Sequence, residues 1–287
     1  MDSTLGFGSW EYTLDEAGHA TVTAWGDDSS RVVVPASLDG HEVIALAERV
    51  FENRGSLEAV TIAAALQVVS NGTFAGCSSL GSVELPCGLY EIGQDAFAGC
   101  ASLESVVLPA GLRVIAPRAF QSCTSLESVV LPEGLRSICP RAFENCRSLR
   151  SVSFSAGLRL IGEEAFMNCT SLEAVSLPEG VRRVSVRAFA CCTSLERVEL
   201  REGLRGIDDA AFGSCRSLAS VILPEGLRII GAHAFQDCPR LAHVEVPASV
   251  EEIGQYAFGG NGALVVTCPR GSFADRWCQE RGYRTQG

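Results

Sequence analysis

Leu131-Pro132-Glu133-Gly134-Leu135-Arg136-Ser137-Ile138-Cys139-Pro140-Arg141-Ala142-Phe143-Glu144-Asn145-Cys146-Arg147-Ser148-Leu149-Arg150-Ser151-Val152-Ser153-Phe154 is one turn of a pattern that fills most of this 287-residue chain. Its phenylalanine recurs as Phe51, Phe74, Phe97, Phe120, Phe143, Phe166, Phe189, Phe212, Phe235 and Phe258, always 23 residues apart. Three residues after it comes Cys77, Cys100, Cys123, Cys146, Cys169, Cys192, Cys215 or Cys238, with Arg54 and Asn261 in the two end units. Leucine follows at six, from Leu57 to Leu264, and apolar pairs such as Val129/Leu131 at nine and eleven. A fixed period of this length is the signature of a stacked repeat array.

The physical consequence is a solenoid. One 23-residue unit cannot bury its apolar positions alone, but identical units stacked in register place each Phe on the next Phe and each Leu on the next Leu. Leu-x-x-Val-x-Leu reads as a short strand whose copies pair in parallel at about 4.8 Å, so ten coils make a body on the order of 50 Å long. Pro-x-Gly then ends the strand and turns the chain. Apolar residues three to four apart in Ile-Gly-x-x-Ala-Phe-x-x-Cys predict one or two helical turns on the opposite side.

The unit Ala-Phe-x-x-Cys-x-Ser-Leu-x-x-Val-x-Leu-Pro-x-Gly-Leu-x-x-Ile resembles the BspA-like leucine-rich repeats, a bacterial and protist class, over roughly residues 30 to 267. The resemblance implies an α/β repeat solenoid: a right-handed leucine-rich-repeat superhelix with a parallel β-sheet on one face and short helical turns or irregular segments on the other. Residues 1–287 form one domain in this reading, with an N-terminal β cap and widened first unit at about 1–46, ten coils over 47–267 and a C-terminal helical cap over 268–287. Trp10-Glu11-Tyr12-Thr13-Leu14 and Ala20-Thr21-Val22-Thr23-Ala24 supply the first cap. Ser272, with Asp275 three residues on and Gly282 beyond, bounds the helix of the second.

Composition narrows the chemistry. The chain is 47% apolar and 20% charged with a mean hydropathy of +0.20, so a sizeable core is expected. Apolar runs reach only about five residues, far short of the ~18 that a membrane-spanning helix needs, so no membrane insertion is expected. Net charge is −11, and all 23 basic residues are Arg, which argues against a nucleic-acid partner. Met1-Asp2-Ser3-Thr4-Leu5-Gly6-Phe7 has neither the basic nor the apolar region of an export signal, so a chain beginning there is expected in the cytoplasm.

Of the 13 cysteines, eight occupy the one repeat position, between inward-facing Phe and Leu, and read as small buried hydrophobes. Cys87, Cys139, Cys191, Cys268 and Cys278 lie off the ladder, and no C-x-x-C pair or Cys/His spacing predicts a metal site. His19, His41, His233 and His243 stand without a nucleophile motif, and the glycines are spread as turn formers rather than gathered in a phosphate loop. Asn71-Gly72-Thr73 and Asn168-Cys169-Thr170 match the glycosylation pattern by coincidence, the second because it contains a core cysteine. No catalytic residue, cofactor or metal is predicted.

Binding is the remaining class. The exposed middle residue of each strand and the residue after each Leu form the partner face, and Val107, Val130, Glu104 and Glu127 are its first candidates, with Arg150 and Ile222 beside them. Arg113, Arg136, Arg159, Arg182, Arg205 and Arg228 form a second stripe, one per coil. Glu133, Glu179, Glu202 and Glu225, three residues before four of them, predict a solvated ion-pair edge, and the alternative reading is a track for a sulfated or carboxylated polymer. The expectation is a noncatalytic monomeric module that binds a protein or glycan through its strand face, with an intracellular structural or scaffolding protein as the second reading. The family resemblance implies surface or secreted proteins, some of them adhesins toward host matrix or other cells.

Overall fold

A computed structural model describes residues 5–7 and 9–287. The expectation drawn from the first residues of the chain therefore falls, for Met1–Thr4, outside the described residues. Strands Leu5–Phe7, Trp10–Leu14 and Ala20–Trp25 pair antiparallel in sequence, and Ala20–Trp25 then pairs in parallel with His41–Leu46, which folds back on Ser37–Leu38. From there the chain coils. Each 23-residue turn adds one strand to a parallel column, and the register is the repeat itself: Val129 faces Val152, Val175 faces Val198 and Val221 faces Val244.

A second column, absent from the sequence reading, runs beside the first. The Ile or Val that follows Pro-x-Gly-Leu forms two-residue parallel strands from Val68–Val69 to Glu252–Ile253, with Ile92, Ile115, Ile138 and Ile161 in line. Each coil thus has two strand sides and one turn side.

The turn side corrects the expected helical turns. Two residues before each Phe and two after it, the backbone takes positive φ, as at Arg118 (58°) and Ser122 (60°) around Phe120, and Arg141 (61°) and Asn145 (62°) around Phe143. A right-handed helix cannot contain a left-handed residue at every fourth position. This backbone sends every second amide out of its own coil: Arg118 N, Phe120 N and Ser122 N donate to the carbonyls of Pro140, Ala142 and Glu144 at 2.8–3.1 Å. Intermediate amides close tight turns, Gln121 N to Arg118 O at 3.0 Å and Cys123 N to Phe120 O at 3.2 Å. The apolar spacing was helical, but stacking offers these amides partners in the next coil, and the coil-to-coil bonds win.

The core is a column of ladders. All ten Phe rings are fully buried. Neighbouring rings lie 5.2–5.7 Å apart and within 15° of parallel, inside the favourable range for offset stacking. Trp10 and Trp25 stand against Phe51 at one end, at 6.1 and 5.7 Å. At the other, the helix Phe273–Arg281 brings Trp277 edge-on to Phe258 at 6.1 Å. That helix is N-capped by Ser272, whose hydroxyl accepts from Asp275 N, and is closed by Gly282 in the left-handed conformation. A last strand, Arg284–Gln286, pairs in parallel with Val265–Thr267 and lengthens the first column.

The cysteine ladder is more than small and apolar. Each of the eight thiols donates to the carbonyl of the Phe one coil back, Cys100 to Phe74, Cys123 to Phe97 and Cys146 to Phe120, at S···O 3.2 Å. The end units show what the position requires. Asn261 takes the place of Cys and donates its amide to Phe235 O at 2.8 Å, while its own carbonyl accepts from Cys238 N. Arg54 takes it at the other end and donates to Trp25 O. The constant feature is a donor for a buried carbonyl that would otherwise be unpaired. Burial pushes Cys77 up to about 11 and Cys146 and Cys238 up to about 12, with the other five moved the same way, so these groups stay protonated donors. All thirteen cysteines are free.

Candidate binding face and arginine edge

The first strand column has one face in solvent. Its exposed positions sort into three parallel rows. The central row is small over five successive coils, Ser82, Ser105, Ser128, Ser151 and Ala174, all exposed, and is then broken by Arg197 and His243 on either side of Ser220. One flanking row carries Glu104, Glu127 and Arg150, all exposed. The other carries Val107, Val130 and Ile222, at 83, 69 and 62% exposure. The small residues from Ser82 to Ala174 make a shallow trough along those five coils, which Arg197 closes. Apolar side chains this open are more than strand propensity requires, because valine and isoleucine gain nothing from packing there.

The column is not a continuous sheet. Ser128–Val130 pairs with Ser151–Ser153, and Ala174–Ser176 with Arg197–Glu199, as separate two-stranded units. Val107 lies outside any strand, and in this column its coil pairs with the next only through the isolated bridge Ser105–Ser128. The expected pair of adjacent strands at Val107 and Val130 is therefore reduced to one strand beside a looser rung.

The arginine stripe is built differently from the ion-pair edge that the sequence suggested. Arg136, Arg182 and Arg205 make no salt bridge with Glu133, Glu179 and Glu202 among the described residues. Their guanidiniums lie across the glycine of the next coil and donate to its carbonyl: Arg136 to Gly157 at 3.0 Å, Arg182 to Gly203 at 3.2 Å and Arg205 to Gly226 at 2.9 Å. A methyl group added to Gly134 or Gly180 would fall 1.6 or 1.8 Å from Nη1 of Arg113 or Arg159. The repeating glycine is thus a bed for the repeating arginine. The sixth rung confirms the rule by departing from it. Ser249 replaces glycine there, its hydroxyl bonding to Leu227 O and Gly226 N, and Arg228 turns away to pair with Glu251.

Charges on the turn side, by contrast, are neutralised across coils. Arg118 grips Asp95 through two bonds of 2.7 and 2.9 Å, holding that carboxyl below its ordinary range, and Glu164 accepts from both Arg141 and Arg187. Among the described residues, Arg113, Arg136, Arg159, Arg182 and Arg205 have no carboxylate partner. They form a row of unpaired positive charge, one per coil.

The sequence matches the BspA type leucine rich repeat region in six copies, over residues 45–159 and 137–265. The chain belongs to this family. A leucine rich repeat protein of T. pallidum is 30% identical to this BspA type chain, with a TM-score of 0.56 over 73% of this chain and 88% of that one. A leucine rich cell surface protein of Faecalibacterium prausnitzii is 22% identical over 100% and 99% of the two chains, with a TM-score of 0.51, a likeness of fold. No curated protein matches the chain.

Departures from the repeat locate what is particular to this BspA type array. From Pro86 to Pro247 the proline after the strand is missing twice, at Ser155 and Arg201, and Phe154 stands where the other coils carry Leu or Val. Two hollows meet there. A cleft of about 830 Å³ lies among Phe154, Ala156, Arg159, Pro178, Arg182 and Arg201. A second, of about 640 Å³, lies on the strand face over Ser151, Ala174, Arg197, Ser220 and Ile222, and the two share Ser176 and Arg201. The sequence reading picked Ile222, Arg159 and Arg182 but missed the cleft. Its signal was available, as two gaps in an otherwise unbroken proline register.

Proposed function

We propose that this protein is a noncatalytic binding module that holds a protein or glycan partner along its strand face, as a monomer and in an adhesin-like role at the cell surface. The observation that supports it best is the trough itself. A strip of small exposed residues from Ser82 to Ala174, with Val130 and Ile222 open to water and a hollow of about 640 Å³ over Arg197 and Ile222 at its end, is a surface shaped to receive a chain. Rigid stacking fixes its geometry, so a partner pays little to order it. The cell surface protein of Faecalibacterium prausnitzii that shares the fold supports the location. No helix among the described residues is long and apolar enough to cross a membrane.

The test is a binding screen of the immobilised protein against a glycan array and a panel of extracellular matrix proteins, run beside the double variant Val130→Asp, Ile222→Asp. Both positions are exposed, so the variant folds. The expected result is a ligand bound by the native protein and lost from the variant. A ligand held equally by both would remove the strand face from the reading.

A further inference from the structure

We propose that the cleft beside Phe154 is a subsite for the uronic-acid residue of an acidic glycan, its carboxylate held by Arg159, Arg182 and Arg201. The inference rests on the strand-face reading, because the cleft opens onto that face through Ser176 and Arg201. It begins from position. Phe154, Ser155, Ala156 and Arg201 break a repeat that the neighbouring coils keep, and the coils fold the same way with or without them. Ser155 shows that the departure is not made for stability: its side-chain oxygen is buried with no hydrogen-bond partner, where the coils on either side place the apolar rings of Pro132 and Pro178.

Charge points to the ligand. Three guanidiniums line the cleft against one carboxylate, Glu179. Nη1 of Arg159 is held by Ala156 O and Leu158 O at 3.0 Å, and Nη1 of Arg182 by Gly203 O at 3.2 Å. Among the described residues, Nε and Nη2 of both have no protein acceptor, and these are the edges that grip a carboxylate through two bonds. Arg201 is partly engaged, donating to Glu199 at 2.9 Å at the boundary with the strand face. The absent side chains of Gly180 and Gly203 leave the space in which the guanidiniums of Arg159 and Arg182 lie, so both are pre-set.

The rest of the lining separates a sugar from an acidic peptide. A uronate residue presents a carboxylate, hydroxyls and an apolar ring face, and the cleft offers guanidiniums, the Ser176 hydroxyl with the Glu179 carboxylate, and the partly exposed ring of Phe154. A peptide strand presents carboxylates on one side at about 6.7 Å spacing. The arginines instead recur with the coils, whose Phe rings here are 5.2–5.5 Å apart, so an extended acidic peptide falls out of step. The volume of about 830 Å³ suits a short oligosaccharide.

The experiment is calorimetric titration with a galacturonate trisaccharide, with the neutral galactose trisaccharide and an oligoglutamate peptide as comparisons. The proteins are the native chain, Arg159→Gln, and the two variants that restore repeat residues, Phe154→Leu and Arg201→Pro. Expected are binding of the uronate that weakens as salt rises, a loss of at least about tenfold in Arg159→Gln, and weaker binding in both restored variants with their thermal midpoints unchanged. The proposal is overturned by no heat at millimolar uronate, by equal affinity for the neutral sugar, by tighter binding of the peptide, or by Arg159→Gln binding as the native chain does. The two readings fail separately. A partner still captured through Ile222 when the uronate is not bound removes only the subsite.

Discussion

Raising the pH from 7 to 10 should unfold this protein through its cysteines. In the unfolded chain each ladder thiol ionises near its ordinary value of about 8.5–9. In the fold all eight are buried donors to a Phe carbonyl and are pushed up, Cys77 to about 11 and Cys146 to about 12. A raised folded value contributes stability that is complete below about pH 9 and is lost as pH climbs toward the folded value. Each such thiol loses about 1.4 kcal/mol per pH unit in that window, so the eight together lose about 11 kcal/mol by pH 10, comparable with the whole stability of an ordinary domain, about 5–15 kcal/mol. The chain has no lysine, and Cys139, Cys268, Cys278, Tyr12 and Tyr283, raised as well, add to the loss in the same direction. Urea unfolding followed by circular dichroism and tryptophan fluorescence, in reductant, at half-unit steps from pH 7 to 10.5 measures the effect. The midpoint should be flat to about pH 8.5 and then fall steeply, with about eight protons released per molecule on unfolding from the ladder and more from Cys139, Cys268 and Cys278. A release of about two or fewer would refute the buried-donor account of the ladder.

Three further outcomes follow from named contacts. Cys123→Ala leaves the Phe97 carbonyl buried without its donor and should lower stability by about 1–3 kcal/mol, whereas Cys123→Ser, which keeps a donor, should recover part of the loss when both are compared by urea midpoint. Gly180→Ala sets a methyl group 1.8 Å from Nη1 of Arg159 and 2.3 Å from the Leu158 carbonyl, so it should cost about 1–3 kcal/mol and weaken uronate binding as well. Phe143→Ala opens a gap in the middle of the ring column, between Phe120 and Phe166. It should cost about 3–5 kcal/mol and raise hydrogen exchange most in the two adjoining coils.

What the sequence could and could not disclose follows from periodicity. Ten Phe at a 23-residue step determine stacking, parallel register and the buried ladders before any coordinate is known, because only in-register coils bury them all. The turn side was misread because hydrophobic spacing reports which residues point inward and not where the amides go. At Arg118 and Ser122 the amides go to the next coil, which no pattern within one unit encodes. The arginine stripe was misread for the same reason: Glu133 is Arg136's neighbour in sequence, but Gly157, 21 residues on, is its neighbour in space. The strand face was recognisable at Val130 and Ile222 because alternation marks what must face out. The cleft was not, because a regular repeat draws attention to what recurs, and Ser155 and Arg201 matter because they do not recur.

The left-handed residues that flank each Phe also give the array an arrow. The outgoing amides at each Phe and two residues either side of it, such as Arg118, Phe120 and Ser122, point toward the following coil, and the carbonyls that accept them face the preceding one. The peptide dipoles of that side add along the solenoid axis, with the positive pole at the chain's far end, the reverse of their sense in an α-helix. Tyr256, Phe258 and Gly260 hold the last such amides, and no further coil follows to accept them. Coils can therefore be inserted into this protein, or fused to it, in one orientation only, and a duplicated unit extends the row while an inverted one would set donor against donor.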